Sequence, residues 1–187
     1  LVDYILNMHF SEDDITFFRN KYHFDEDFLD YLKDFAFRGT IYAVKEGTIV
    51  YPNTPIVTVK ANIIEAQLIE TMLLLTVNHQ TLIATKASRI VRAAKGRTIM
   101  EFGARRAHSY DAAIIGARAA YIGGVDATAT VAAEQDYKVP ATGTIAHSFI
   151  QAFDNEYEAF EAFAQVYPDN CHLLIDTYDV LESGIKN

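Results

Sequence analysis

Four short segments in the second half of the sequence place charged and hydroxyl-bearing side chains directly after brief apolar stretches. Together they supply two neighbouring guanidinium groups, carboxyl groups, an imidazole and small hydroxyls. Such a set can bind a flat anion beside a phosphorylated molecule. The segments are Glu101-Phe102-Gly103-Ala104-Arg105-Arg106, Gly123-Gly124-Val125-Asp126-Ala127-Thr128, Ala141-Thr142-Gly143-Thr144-Ile145-Ala146-His147-Ser148 and Asp176-Thr177-Tyr178-Asp179.

The residue types in these segments favour particular chemistry. Arg105 and Arg106 are candidates for an anion clamp, because a guanidinium group can bind both oxygens of a carboxylate, and Phe102 could stack on a flat ring. His147 is a candidate phosphate carrier, because a neutral imidazole nitrogen is nucleophilic near pH 7. A carboxyl group such as Asp176 could then fix the tautomer of the imidazole and stabilise its cation.

Each segment also has an ordinary structural interpretation. The two arginines could be exposed loop residues, Asp126 and Asp176 could cap helices, and His147 could be a structural histidine. The combination of all four segments at the ends of predicted strands favours a functional site.

Strands and helices alternate through this half of the sequence and must position the four segments. We predict strands at 98–102, 124–125, 139 and 172–175, and helices at 111–120, 127–133, 145–149, 155–166 and from 180 onward. Short links between such elements indicate parallel βα units, and therefore an α/β barrel or a doubly wound sheet. In either fold the polar segments leave the carboxyl ends of the strands and converge at one rim. A closed barrel needs more strands than these.

The first half of the sequence has a different organisation. Helices with aromatic inner faces begin after Ser11 and Asp25, and β-branched residues at 39–44, 48–51 and 55–60 indicate a small antiparallel β module. A long helix from about 63 to 94 follows and stops at Gly96. We therefore divide the chain into residues 1–95 and an incomplete α/β catalytic domain, residues 96–187.

Composition excludes several classes of function. The 187 residues carry a formal charge of −9, which argues against nucleic acid as a general partner. A single cysteine, Cys171, precludes an intrachain disulfide or a zinc-type cysteine cluster and indicates a reducing, cytoplasmic setting. The histidines share no metal-ligand spacing, so we predict no protein-held metal, and no apolar run is long enough to predict a membrane span.

The polar blocks resemble those of nicotinate phosphoribosyltransferases. The resemblance rests on Glu101 to Ala107, Gly143 to Phe149 and Leu174 to Asp179, in that order, and on the β module around Gly47 to Pro52 followed by a long helix. It implies a small β-rich domain packed on an irregular α/β barrel. It also implies a cytosolic dimeric enzyme of NAD salvage that joins nicotinate to phosphoribosyl pyrophosphate, with ATP and Mg²⁺ as cofactors.

The resemblance assigns roles to individual residues. His147 would be phosphorylated by ATP and oriented by Asp176, while Phe102 would stack on the pyridine ring. The remaining assignments concern binding: Arg105 and Arg106 for the ring carboxylate or phosphates, Asp126 at the base-binding end, Ser148 for the nicotinate carboxylate, and Thr142, Gly143 and Thr144 as the loop beside His147.

Three alternatives remain open at this point. A relative that uses nicotinamide would present the same blocks, although paired arginines favour a carboxylate over a neutral amide. Residues 39–65 also resemble a biotinyl-type carrier module with Lys45 as the nearest modifiable lysine. Finally, the chain could be a non-catalytic fragment, because the later barrel loops that hold ribose and phosphate in the family are absent from it.

Overall fold

The structure, a computed structural model, describes all residues from Leu1 to Asn187. The chain forms two compact units. The first comprises Leu1–Gly96 with Ile122–Gly124, and the second comprises Arg97–Tyr121 with Val125–Asn187.

The first unit begins with three helices, α1 (Val2–Leu6), α2 (Glu12–Tyr22) and α3 (Glu26–Lys33). Ser11 caps α2 as predicted, because its side chain accepts the N–H of Asp14 while the Asp14 carboxylate accepts the N–H of Ser11 at 2.8 Å. Asp25 caps α3 in a similar way by accepting the N–H of Asp27. The capped helices bury Ile15, Leu29 and Leu32 against one another, and aromatic rings surround that cluster.

The β module contains two strands, β1 (Thr40–Ala43) and β2 (Val57–Lys60), which pair antiparallel with Thr40 opposite Lys60. The predicted strand at 48–51 is wrong. Ile49 and Tyr51 are 83% and 75% exposed, and Thr48 donates instead to the carbonyl of Lys45 in a turn. β-branched residues form a strand only where a partner strand and a packing surface are available.

The long helix α4 spans Ile63–Ala94, close to its predicted bounds, with Asn62 as its N-cap and Lys95 in the left-handed region at its end. Ile69 and Leu73 pack against Ile5 and the inner face of the β module. Burying a side chain of this size stabilises the fold by roughly 1.5–3 kcal/mol. No helix of the structure, α4 included, is sufficiently long and apolar to cross a membrane.

The second unit is built on short parallel strands. β3 (Met100–Glu101) pairs with β4 (Ala127–Thr128), and a single parallel bridge joins Thr128 to Ala141. Helices α5 (Tyr110–Ile122) and α6 (Val131–Tyr137) connect these three positions, as expected for βα units. After Ala141 come α7 (His147–Ile150) and α8 (Glu156–Val166), which share a core of Ile145, Ile150, Ala159 and Phe160, and then a π-helical turn, Val180–Gly184.

Two predicted strands of this unit are corrected. The strand placed at 124–125 lies at Ala127–Thr128 and the following helix starts later, because pairing with β3 overrides the helical preference of the alanines there. The strand placed at 172–175 is not formed, since these residues make no ladder hydrogen bonds. The mixed α/β class is confirmed, whereas the barrel stays a prediction, because the described sheet is open and short.

Candidate active site

The carboxyl edge of the parallel strands carries two of the predicted binding loops. Phe102 directly follows β3, Thr142 follows the bridge at Ala141, and the loop after Thr142 leads to His147 at the first turn of α7. The three strand positions are neighbours and run in the same direction, so these loops leave the sheet at the same edge. The sheet therefore places the Phe102 loop and the His147 loop on one rim.

His147 lies beside the Asp176–Thr177 segment. Its Nδ1 is 3.1 Å from the hydroxyl oxygen of Thr177, and its Nε2 is 4.0 Å from Oδ1 of Asp176. The first distance is a hydrogen bond and the second is an ion-pair distance without a hydrogen bond. His147 and Asp176 thus come together, but the group bonded to the ring is Thr177, to which we assigned no role from the sequence.

The two arginines lie in a 3-10 turn, Ala104–Arg106, and both side chains are exposed. Phe102 is 49% exposed at the start of the same loop. Exposed guanidinium groups next to an uncovered ring are available to an anionic, flat ligand. Their role as a carboxylate clamp stays a prediction.

Glu101 anchors this loop, and the sequence reasoning gave it no role of its own. Its Oε1 accepts the N–H of Gly103 at 2.5 Å, and its Oε2 accepts the hydroxyl of Thr128 at 2.7 Å. Thr128 is fully buried and its hydroxyl accepts in turn the N–H of Thr130. An acid at a strand end was the only sequence signal for this network, which ties the Phe102 loop to β4.

Asp126 lies elsewhere. It precedes β4, so it sits at the amino ends of the strands, and its Oδ2 accepts the N–H of Ile99 at 2.7 Å. The Asp126 N–H also donates to the Ile99 carbonyl at 2.8 Å. The structure gives Asp126 a backbone partner and does not bring it to the rim that carries the loops, so its assignment to the base-binding end remains without structural support.

The remaining predicted residues surround His147 in sequence. Ser148 is exposed in α7, Thr144 is exposed in the preceding loop, and the N–H of Thr142 donates to the carbonyl of Thr128. A Cβ added at Gly143 would meet nothing within 4 Å, so packing does not require a glycine there. The structure thus places Thr142 beside the sheet, whereas Gly143, Thr144 and Ser148 are exposed to solvent.

Two sequence-family models match the chain. Residues 1–78 match the sequence model of the nicotinate phosphoribosyltransferase (NAPRTase) N-terminal domain, and residues 97–184 match that of the NAPRTase family. The chain belongs to the nicotinate phosphoribosyltransferase family. The match over residues 1–78 includes the β module, which removes the support for a biotinyl-type carrier interpretation.

Curated members of the NAPRTase family are similar over almost the whole chain. Nicotinate phosphoribosyltransferase pncB2 of Mycobacterium tuberculosis (strain CDC 1551 / Oshkosh) is 46% identical over 181 residues, which is 97% of this chain and 39% of that protein. Nicotinate phosphoribosyltransferase of Bacillus subtilis (strain 168) is 47% identical over 186 residues, or 100% and 38%. The chain therefore spans less than half the length of these relatives.

A solved NAPRTase structure shares the fold. Human nicotinic acid phosphoribosyltransferase superimposes with a TM-score of 0.88 at 26% identity, covering 98% of this chain and 47% of the human chain. The enzyme from Porphyromonas gingivalis, at a TM-score of 0.50 and 17% identity, supports the fold alone.

Proposed function

We propose that the whole protein transfers the phosphoribosyl group of phosphoribosyl pyrophosphate to nicotinate, giving nicotinate mononucleotide and pyrophosphate in NAD salvage. The observation that carries this proposal is the contact of His147 with Thr177 and Asp176 on the rim that also bears the Phe102 loop. Family membership indicates the reaction, and this contact provides a nucleophilic imidazole with a carboxylate beside it.

Nicotinate would bind at the Phe102 loop. Phe102 stacks on the pyridine ring, Arg105 binds the ring carboxylate, and Arg106 and Ser148 add contacts to the same anion. The pyridine nitrogen then attacks C1 of the ribose as the bond to pyrophosphate breaks. Positive charge builds on the sugar, so the protein accelerates the step by fixing both partners and stabilising the departing phosphates.

ATP would drive the reaction through His147. With the Nδ1 proton donated to the Thr177 hydroxyl, the lone pair of Nε2 is free to attack the terminal phosphorus as the bond to ADP breaks. Asp176, at 4.0 Å from Nε2, stabilises the positive charge that the ring acquires. In this proposal Thr177 takes over the orienting role that the family resemblance implies for Asp176.

Magnesium would accompany the nucleotide rather than occupy a site made by the chain. The structure contains no group of three or more histidine, cysteine, aspartate or glutamate side chains that could hold a metal ion. Mg²⁺ commonly takes one or two carboxylates together with phosphate oxygens and water. Asp176, the carboxyl group that lies beside His147, would be the candidate for such a contact, and the metal would neutralise phosphate charge.

The proposed setting of the enzyme is a homodimer in a reducing cytoplasm. The unpaired, exposed Cys171 is compatible with such a compartment. The oligomeric state follows from the family resemblance and is checked by the mass of the complete protein in solution.

Phosphate transfer from γ-labelled ATP tests the proposal. The complete protein should acquire acid-labile, base-stable label, and His147→Ala should abolish both the label and the ATP-dependent part of the activity. Slow ATP-independent product formation should persist, because base binding is unaffected. His172→Ala, the same substitution at another exposed histidine, is the matched control and should label normally. Label that is unchanged in His147→Ala would contradict the assignment.

A further inference from the structure

The Asp176–Thr177 segment faces His147 without being part of the sheet. Residues 172–175 form no strand, so ladder hydrogen bonds do not fix the two side chains that contact the imidazole. Other contacts must hold the segment, since a catalytic pair misplaced by about 1 Å can lose roughly 100-fold in rate.

The π-helical turn supplies the first of these contacts. Asp179 starts the turn by accepting the N–H groups of Leu181 and Glu182 at 2.9 and 2.8 Å, and its carbonyl accepts the N–H of Gly184 at 2.9 Å. Gly184 is buried, and a Cβ there would lie 2.8 Å from the Ile175 carbonyl carbon and closer still to its oxygen. The turn therefore packs its bare backbone directly against the peptide that precedes Asp176.

A buried carboxyl group supplies the second contact. Glu156, at the start of α8, is only 2% exposed, and its Oε2 accepts a short hydrogen bond from the hydroxyl of Ser183. Its Oε1 is buried without a hydrogen-bond partner. A carboxyl group is costly to bury with half of its bonding capacity unused, and a nonpolar residue would fill the same space at less cost. Its hydrogen bond with Ser183 ties the start of α8 to the π-helical turn.

α8 connects the turn to the catalytic histidine. Its Ala159 and Phe160 share a core with Ile145 and Ile150, which flank His147 in sequence, and Leu174 packs against the same core. One helix thus packs against the segment that carries His147 and is also tied, through Glu156 and Ser183, to the turn beneath Ile175.

We propose that Glu156, Ser183 and Gly184 form a seat that positions Asp176 and Thr177 against His147. The three are positioning residues, since none of them contacts the imidazole. This inference rests on the proposed role of His147 and deepens it by identifying what sets the geometry of its partners.

Gly184→Ala in the complete protein tests the seat most directly. The added methyl group must displace the Ile175 peptide, so ATP-dependent turnover and the rate of labelling from γ-labelled ATP should fall about 10- to 100-fold. The KM for nicotinate should stay within about twofold, because the Phe102 loop is anchored independently by Glu101. Glu182→Gln, an exposed acid in the same turn, is the matched control and should behave as wild type.

A double-mutant cycle separates positioning from general destabilisation. In a His147→Ala background, Gly184→Ala should cost nothing further in the residual ATP-independent rate, because the geometry it disturbs no longer matters. If Gly184→Ala lowered turnover by the same factor in both backgrounds, or in neither, the proposed seat would be wrong. If Gly184→Ala does not fold, Ser183→Ala, which removes one hydroxyl, carries the same test.

Two further results complete the design. Glu156→Gln keeps an acceptor for Ser183 and should retain more ATP-dependent activity than Glu156→Ala; identical losses would count against the seat. If His147→Ala leaves labelling intact, the proposed role of His147 is wrong, whatever the result for the seat. Failure of the seat alone appears as normal labelling in Gly184→Ala and Ser183→Ala with His147 still required.

Discussion

At the scale of single residues, the active-site hypothesis depends on side chains that are exposed rather than buried. Arg105, Phe102, His147 and Asp176 all reach solvent, so their substitution should affect ligands much more than stability. Mutations at these positions can therefore be interpreted through binding and chemistry.

Arg105→Ala in the complete protein should weaken nicotinate far more than nicotinamide. Loss of a charged two-point contact commonly costs about 1.5–3 kcal/mol, and nicotinamide has no carboxylate to lose. Dissociation constants for both bases measure the effect, with Arg89→Ala on α4 as a control that changes neither. An equal loss of affinity for the two bases would show that Arg105 does not bind the carboxylate. It would also favour the alternative that the protein uses nicotinamide.

The partners of His147 should have separable effects. Thr177→Val removes the hydroxyl bonded to Nδ1 and frees the ring to rotate, whereas Asp176→Asn keeps the shape and removes the negative charge. Both should slow labelling from γ-labelled ATP by roughly tenfold, in line with about 1.4 kcal/mol for one lost interaction. Thermal unfolding should be unchanged. Normal labelling in Thr177→Val would assign the ring orientation to Asp176 instead.

At the scale of elements, loops are held by anchors that are not themselves predicted ligand contacts. Glu101 connects the Phe102 loop to the buried Thr128 of β4, as Glu156 connects the π-helical turn to α8. Both acids accept a hydrogen bond from a hydroxyl on another element. The function of the exposed residues thus depends on neighbours that sequence motifs do not mark.

Glu101→Ala should raise the KM for nicotinate and lower the melting temperature together. It leaves the buried hydroxyl of Thr128 without its acceptor, which costs about 1–3 kcal/mol, and it releases the exposed N–H of Gly103 from the loop anchor. Steady-state kinetics and thermal unfolding measure the two effects, and Glu134→Ala on the exposed face of α6 is the control. A changed melting temperature with an unchanged KM would restrict Glu101 to stability.

The N-cap of α2 should make the first unit sensitive to acid. Hydrogen bonds from the Ser11 side chain and backbone lower the pKa of Asp14 below its ordinary value of 3.8. Because the folded pKa is depressed, the stabilisation is present above the ordinary value and is lost as the pH falls through the lowered one.

Ser11→Ala should therefore lower the free energy of unfolding by about 1 kcal/mol at neutral pH and flatten its dependence on pH below about 4. Chemical denaturation between pH 2 and pH 7, on the order of the range where carboxyl groups titrate, measures both effects. An unchanged acid limb in Ser11→Ala would show that Asp14 is not the linked group.

At the scale of the whole molecule, the chain corresponds to less than half of the relatives that it matches. It spans 39% and 38% of two curated relatives, and its parallel sheet contains three strand positions, whereas a closed α/β barrel has about eight. Many large apolar side chains, including Leu74, Leu75 and Leu82 on α4, are more than half exposed.

The isolated 187-residue polypeptide should consequently show negligible turnover. Contacts to ribose and phosphate are needed to fix the second substrate, and we find no candidate for them in the described sheet edge beyond the residues assigned to nicotinate and ATP. Product formation from nicotinate and phosphoribosyl pyrophosphate, with and without ATP, is the measurement. Turnover comparable to that of the complete protein would contradict this prediction.

The sequence by itself determined helices α2, α3 and α4, the N-terminal caps of α2 and α3, and the family. Ser11, Asp25 and the apolar period of α4 predict their elements because capping and helical periodicity are local properties of the chain. The blocks around Phe102, His147 and Asp176 predicted the family because their order and chemistry are written directly in the residues.

Only the tertiary structure decided which of the predicted strands form and which partners the site residues have. Ala127–Thr128 became a strand, and residues 48–51 and 172–175 did not, because a strand exists only where another strand pairs with it. Likewise, Thr177 rather than Asp176 bonds His147, Asp126 bonds Ile99 at the opposite strand ends, and Gly184 packs against Ile175. In each of these contacts, folding brings together residues that are not neighbours in the sequence. Their spacing along the chain does not show that they meet.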